Sequence, residues 1–219
     1  GLPFQVWLFY QPTIKKKIHQ IISEVKPDAI YCHLIRMSEY VKEIKGIPKT
    51  LDYMDTFSVG MKRRAEFASF PVKQFAITEL ARLIKYEHAI FSSFNERTII
   101  SEQDRELIPH PDNKKIHVIV NGVDADVFNP IEKEKKYDLL FTGNMGYPPN
   151  IESAIYAAKR ILPEVHKLHP YVSLLIAGIN PSKSVLELKS EKVHVVENFE
   201  HIRDAFAISK INLAPMLIS

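Results

Sequence analysis

Apolar and polar positions along this chain alternate between the helical period and short apolar runs. Ile14, Ile18, Ile21, Ile22 and Val25 recur at helical spacing while Lys15, Lys16 and Lys17 fall largely elsewhere, which predicts a helix over 11–26. Pro27-Asp28 stops it, and 29–32 reads as a short buried strand. A second strand, 49–53, follows Gly46-Ile47-Pro48. Residues 57–87 have few breakers and predict one or two helices; 88–92 then reads as a strand, 95–103 as a helix and 116–120 as a strand. That last run ends at Asn121-Gly122, the dipeptide that most readily takes up positive φ. Asp124 is placed to cap the next turn, and Pro130 closes the segment.

Beyond Pro130 the pattern restarts. Charged residues 132–136 form a linker and 137–142 a strand. Asn150 is expected to cap a helix whose apolar side carries Ile151, Ala154, Ile155, Ala158, Ile161, Leu162 and Val165. Pro163 should kink or shorten it. Strands are expected at 171–177, 193–196 and 211–214, with a helix at 202–209. Strands alternating with helices argue for parallel sheets wound by right-handed crossovers. The predicted class is α/β, with two Rossmann-like parallel-sheet domains at 1–125 and 126–219 facing each other across a cleft. Each half holds four or five predicted strands where a doubly wound sheet has about six. Both domains are therefore expected to be incomplete, and the chain a fragment of a larger enzyme.

Composition narrows the partners. The 219 residues are 46% hydrophobic, and a net charge of +3 with a pI near 8.8 does not demand a nucleic-acid partner. Lysines 15–17, Arg63-Arg64 and lysines 133, 135 and 136 form basic clusters, read either as solvated surface or as weak attraction to an anionic membrane. The single Cys32 excludes an intramolecular disulfide and suits a reducing cytosol. No apolar run approaches the roughly 20 residues that span a bilayer. No signal peptide opens the chain. The expected location is cytoplasmic, with peripheral contact at the inner face of a membrane allowed.

The residues VIVNGVDADVFNP (118–130) resemble the interdomain motif of retaining glycosyltransferases of family 4, which have the GT-B fold. YDLLFTGNMGYPPNIESAIYAAKRILPEV resembles the first βαβ unit of that family's donor-binding domain. VSLLIAGINPSKSVLEL and VHVVENFEHIRDAFAISKINLAPM are similar to the units that follow. Upstream, ELARLIKYEHAIFSSFNERTIISEQDRELI resembles the last acceptor-domain helix and its strand. The likeness runs in consistent order from about Asp28 to Pro215.

What the resemblance implies is transfer of a sugar, with retention, from a nucleotide-sugar donor to a glycan or lipid-linked acceptor, without a metal and with no cofactor besides the donor substrate. The leaving diphosphate would be held by helix N-termini and backbone N–H groups. Gly143, Asn144 and Gly146 in a strand-to-helix turn, with Asn150 capping that helix, are the expected phosphate site; an ordinary αβ turn is the other reading. Gly178, Asn198 and Phe199, beyond the next two strands, would meet the nucleoside, with local packing the alternative for Phe199. Asn121, Gly122 and Asp124 would form the hinge, positive φ at Gly122 setting the angle so that a β-branched residue there mis-sets the cleft.

Three catalytic candidates lie in the first half. Asp52 stands where many family members carry a His in a segment resembling "tlHd", and as a carboxylate it would accept from a sugar hydroxyl. Asp55 could take that role instead, and His33 follows the first strand. Two carboxylates capping a loop, and a structural His, are the alternatives. Glu79 and Glu87, eight apart on one predicted helix with Arg82 between, are expected in surface salt bridges. The family's paired glutamates have no counterpart here, since Glu187 and Glu191 are too early and wrongly spaced. The chain alone is therefore expected to be inactive. Competing readings are a nucleotide-sugar 2-epimerase, against which the NGVD segment argues, and a degenerate non-catalytic binding protein. Exposed strand edges would admit oligomers.

Overall fold

The computed structural model describes residues 1–215, Phe67 by its backbone alone. The chain divides into two compact units, Gly1–Gly122 and Val123–Ser219. Each is built on a four-stranded parallel sheet, so the α/β class with two Rossmann-like sheets stands.

In the first unit, α1 (Phe4–Trp7) and α2 (Pro12–Val25) precede β1 (Ile30–His33). A 3-10 helix, Ile35–Tyr40, leads to β2 (Lys49–Asp52). The helical hairpin α3 (Phe57–Phe67) and α4 (Val72–Phe91) leads to β3 (Glu96–Ile99), and α5 (Glu102–Leu107) to β4 (His117–Val118). Strand order β1-β2-β3-β4 follows the chain. Right-handed crossovers that all step the same way deposit their helices on one face. On that face Cys32, Leu51 and Ile99 pack with Ile35, Leu83, Tyr86 and Ile90. The pleat sends Tyr31, His33, Asp52 and Thr98 to the other.

Two carboxylates of α4 hold this unit together from inside, where surface ion pairs were expected. Glu79 and Glu87 are fully buried. Glu79 accepts the N–H groups of Phe4 (2.8 Å) and Gln5 (3.0 Å), in the first turn of α1. Glu87 accepts Ser58 N at 3.1 Å, in the first turn of α3. Neither helix has a side-chain cap of its own at Pro3 or Thr56. Free N–H groups and the positive end of the helix dipole are what a buried carboxylate needs. Burial still dominates at Glu87, whose Oε2 has no partner among the described residues, and pushes its pKa from 4.5 up to about 7.

The second unit runs β5 (Tyr137–Thr142), α6 (Pro148–Tyr156), a π turn Ala157–Ile161, α7 (Leu162–His166), β6 (Leu174–Gly178), α8 (Lys183–Leu186), β7 (Val193–Glu197), α9 (Ile202–Ala207) and β8 (Ser209–Asn212). Strand order is β7-β6-β5-β8, so the winding reverses at β5. That reversal covers both faces and explains the unbroken apolar runs of β5 and β6. Phe141, Leu174 and Ile176 pack with Ala154, Leu162 and Val185 on one side, and Leu140, Leu175 and Ala177 with Ala205 on the other. At the amino ends of these strands Asp138 accepts Ser173 N (2.9 Å) and Oγ (3.0 Å) on Oδ2, while Lys210 Nζ donates to Oδ1 at 2.8 Å. The lysine first and then these donors pull Asp138 from 3.8 down to about 2.

Four local expectations are corrected. Residues 88–91 end the helix α4, because a short apolar run fits either period, and the largely polar residues 96–99 form a strand where a helix was expected, in parallel register with β2. The interruption expected at Pro163 takes the form of a π turn over Ala157–Ile161, which ends α6 at Tyr156 and absorbs the missing N–H. Tyr147, not Asn150, is the N-cap of α6. Gly122 lacks positive φ, which among the described glycines only Gly46 adopts.

Two stability experiments follow, with opposite signs. Asp138 has a lowered folded pKa, so its contribution is present above pH 4 and lost as pH falls through about 2. Asp138→Asn should cost on the order of 1–2 kcal/mol in urea unfolding at pH 7, and the gap should close near pH 2; a gap unchanged at low pH contradicts the assignment. Glu87 has a raised folded pKa, so the wild type loses stability as pH climbs from 4.5 to about 7. Relative to it, Glu87→Gln should gain on the order of 2–3 kcal/mol between pH 5 and 8, and a pH-independent difference refutes this.

Candidate active site

In the first unit β1 and β2 end side by side, with His33 in register with Asp52. Only 6% of Asp52 is exposed, and three donors converge on its carboxylate. Tyr31 OH donates to Oδ2 at 2.8 Å, His33 Nδ1 lies 3.1 Å from the same oxygen, and Met54 N donates to Oδ1 at 3.1 Å. An ionised carboxylate only accepts, so with Asp52 ionised the hydrogen of that contact belongs to Nδ1. Nε2 is then the ring atom left to engage a substrate. The His33 side chain is 55% exposed, which leaves room for one.

The backbone beyond both strands is strained. Leu34 has φ +68° and Met54 φ +61°, a region that bulky residues rarely enter. Each costs on the order of 1–3 kcal/mol, and such outliers concentrate at functional sites. Leu34 N is held by Asp52 O at 2.9 Å. The two strained turns therefore flank the His33–Asp52 pair directly.

Asp55 stands apart: among the described residues no hydrogen bond joins it to either. Its carboxyl pKa is raised, first by partial withdrawal from water and then by Asp104, with Arg36 opposing. Arg36, which nothing in the sequence singled out, lies against the rings of Phe57 (4.6 Å) and Phe9 (5.2 Å) and donates to Gln5 Oε1 at 2.9 Å. Cys32 is no nucleophile, since burial pushes its thiol up to about 12.

In the second unit the reversal of winding opens the usual ligand crevice at the carboxyl ends of β5 and β8. Gly143 to Tyr147 leave β5 there. Most N–H groups of this turn are already bonded: Gly143 to Ala177 O, Met145 to Ile179 O, Gly146 to Asn144 Oδ1 and Tyr147 to Asn144 O. Helix α6 begins with Pro148 and Pro149, which have no N–H, and Asn150 N bonds Tyr147 O at 3.0 Å. The expected row of free helix N–H groups is thus missing. Asn144 N is the one in the turn without a partner among the described residues. Asn150 serves by bracing the turn, its Nδ2 donating to Asn144 O at 3.1 Å.

Gly178 is required by contact: a Cβ there would lie 1.8 Å from Gly143 O. Gly146 is less confined, its nearest neighbour being Asn180 at 3.3 Å. Gly143, Asn144, Gly146, Asn150 and Gly178 thus form one locus. Asn198 and Phe199 do not join it. They follow β7, two strands or roughly 10 Å from β5. Asn198 is left-handed at φ +54°, and Phe199 packs against the core beside Ala205. At the boundary between units Asn121 is exposed, and Asp124 caps its turn as expected, accepting Asp126 N (3.0 Å) and Val127 N (3.2 Å). Among the described residues no cluster of His, Cys, Asp and Glu is arranged to hold a metal.

No family model matches the chain, and no curated protein matches it. Among solved structures, TarM superposes with a TM-score of 0.60 at 13% identity, over 89% of this chain and 38% of that one. The UDP-GlcNAc 2-epimerase from Neisseria meningitidis bound to UDP-GlcNAc gives 0.49 at 17% identity, over 91% and 57%. The S. aureus MnaA-UDP co-structure gives 0.43 at 12%, over 93% and 56%. The last two superpose too loosely to carry an argument. The likeness to TarM supports a GT-B-like fold, and this chain spans well under half of the TarM chain's length.

The two glycines that frame these sites should respond oppositely. Gly178→Ala forces β5 and β6 apart and should lower stability by about 2–4 kcal/mol in thermal unfolding. Gly122→Val, with ordinary φ and open space around it, should stay within about 0.5 kcal/mol. Equal losses would contradict the geometry.

Proposed function

We propose that the chain is the core of a nucleotide-sugar-dependent glycosyltransferase, in which the first unit presents the acceptor and the second binds the donor. The observation that carries this reading is the His33–Asp52 pair set between two strained turns at the strand ends. His33 Nε2 accepts a hydrogen bond from an acceptor hydroxyl, and Asp52 keeps the ring in the required tautomer and stabilises it when the proton arrives. The bond from the anomeric carbon to the diphosphate oxygen breaks as the bond to the acceptor oxygen forms on the same face of the sugar, so that the anomeric configuration is retained. The leaving diphosphate lies at Gly143 and Asn144, where Asn144 N donates and the α6 dipole opposes its charge.

The resemblance of the 118–130 segment and its neighbours to family 4 supports retention at the anomeric carbon, metal independence and a glycan or lipid-linked acceptor. A cytoplasmic location is part of the same reading. Among the described residues no helix is long and apolar enough to cross a membrane. A nucleotide-sugar 2-epimerase is the second reading, because a His–carboxylate pair also serves proton transfer.

Calorimetry and turnover separate these. In the complete gene product, His33→Ala and Asp52→Asn should each reduce kcat for transfer about 100-fold or more. Affinity for UDP or GDP should change less than about twofold, because both residues lie outside the donor site. The 219 residues alone should bind nucleotide without turnover. Transfer unaffected by both substitutions, or conversion of the nucleotide sugar to its epimer without any acceptor, overturns the proposal.

A further inference from the structure

The tip of the α3/α4 hairpin has no role in either site, yet it exposes a concentration of large apolar side chains. Phe70, in the turn, is 85% exposed. Val72 and Phe75, in the first turn of α4, are exposed as well. The patch continues onto α1, where the Phe4 ring meets Phe75 edge-on at 5.6 Å and stacks at 5.9 Å with Trp7, itself 60% exposed. Scattered apolar residues on a surface need no explanation, but exposed aromatic rings in mutual contact do.

The charge around it is one-sided. Between Phe57 and Phe75 the chain carries Lys62, Arg63, Arg64 and Lys73 against Glu66 alone. Lys62, Arg64 and Lys73 are exposed, and no ion pair engages them among the described residues. At 1.5 Å of rise per residue, Arg64 and Lys73 lie within about one helical turn of the tip. We infer that this tip, with the adjoining face of α1, is a docking surface for an anionic phospholipid bilayer. Phe70, Phe75 and Trp7 enter the boundary between headgroups and acyl chains, and the surrounding cations meet the headgroup phosphates. A projecting aromatic turn ringed by cations suits a deformable anionic surface better than a flat protein face, against which Phe70 would hold the remaining patch away. The inference does not rest on the transfer reaction.

The test mixes the full chain with extruded vesicles of phosphatidylcholine, alone or with about a third phosphatidylglycerol, and reads sedimentation and the emission of Trp7, the chain's single tryptophan. Binding should favour the anionic vesicles and weaken sharply with salt, with Trp7 emission shifting to the blue. Phe70→Ser with Phe75→Ser, and separately Lys62→Glu with Lys73→Glu, should each lower partitioning at least about tenfold while circular dichroism stays unchanged. Equal binding to both vesicle types, or variants that bind like the wild type, overturns the inference. So does self-association in sedimentation velocity that Phe70→Ser abolishes, since a second copy would then cover the patch.

Discussion

A carboxylate withdrawn from water must find hydrogen-bond donors, and this constraint organises both halves of the protein. Four acidic side chains answer it in different ways, Asp138 only partly withdrawn from water and Glu87 with one oxygen left without a partner among the described residues. Glu79 and Glu87 use the first-turn N–H groups of α1 and α3, so the helix α4 fastens two other helices to itself. Asp138 draws on Ser173 and Lys210 and joins the amino ends of β5, β6 and β8. Asp52 gathers Tyr31, His33 and Met54 N at the opposite, carboxyl end of its sheet. The first three arrangements are structural. The fourth leaves a ring nitrogen beside solvent, where the acid–base step of the proposed function would act.

The second unit shows what a parallel sheet supplies by topology alone. Reversal of winding at β5 makes the crevice, and Gly178 lets the exits of β5 and β6 approach closely enough to shape it. The turn is nevertheless more self-satisfied than a phosphate loop made only of free N–H groups. Two prolines open α6, so any anion held there depends on Asn144 N and the dipole more than on a row of donors.

Much of this architecture was legible in the sequence. The strands expected at 137–142, 171–177 and 193–196 form at Tyr137–Thr142, Leu174–Gly178 and Val193–Glu197, because burial on one or both faces leaves these runs largely apolar. Asp124 declared its capping role through its position after Asn-Gly. The misreadings share a cause: local pattern does not reveal what lies opposite. Nothing in residues 72–91 says that Glu79 and Glu87 face inward toward helices whose own N-cap residues, Pro3 and Thr56, make no side-chain capping bond. The apolar run at 88–92 fits a strand until the preceding helix is seen to continue through it. Gly122 looked like a conformational requirement and lacks positive φ, whereas Leu34 and Met54 carry the strained backbone and no sequence signal marks them.

The account stands most exposed on where a nucleoside diphosphate sits. A crystal structure of the complete gene product with UDP or GDP decides it. The account requires the diphosphate at the carboxyl end of β5, within hydrogen-bond reach of Asn144 N and clear of Asn198 and Phe199. A diphosphate bound instead beside His33 and Asp52 would contradict it, because the first unit would then hold the donor and the roles given to the two halves would be reversed.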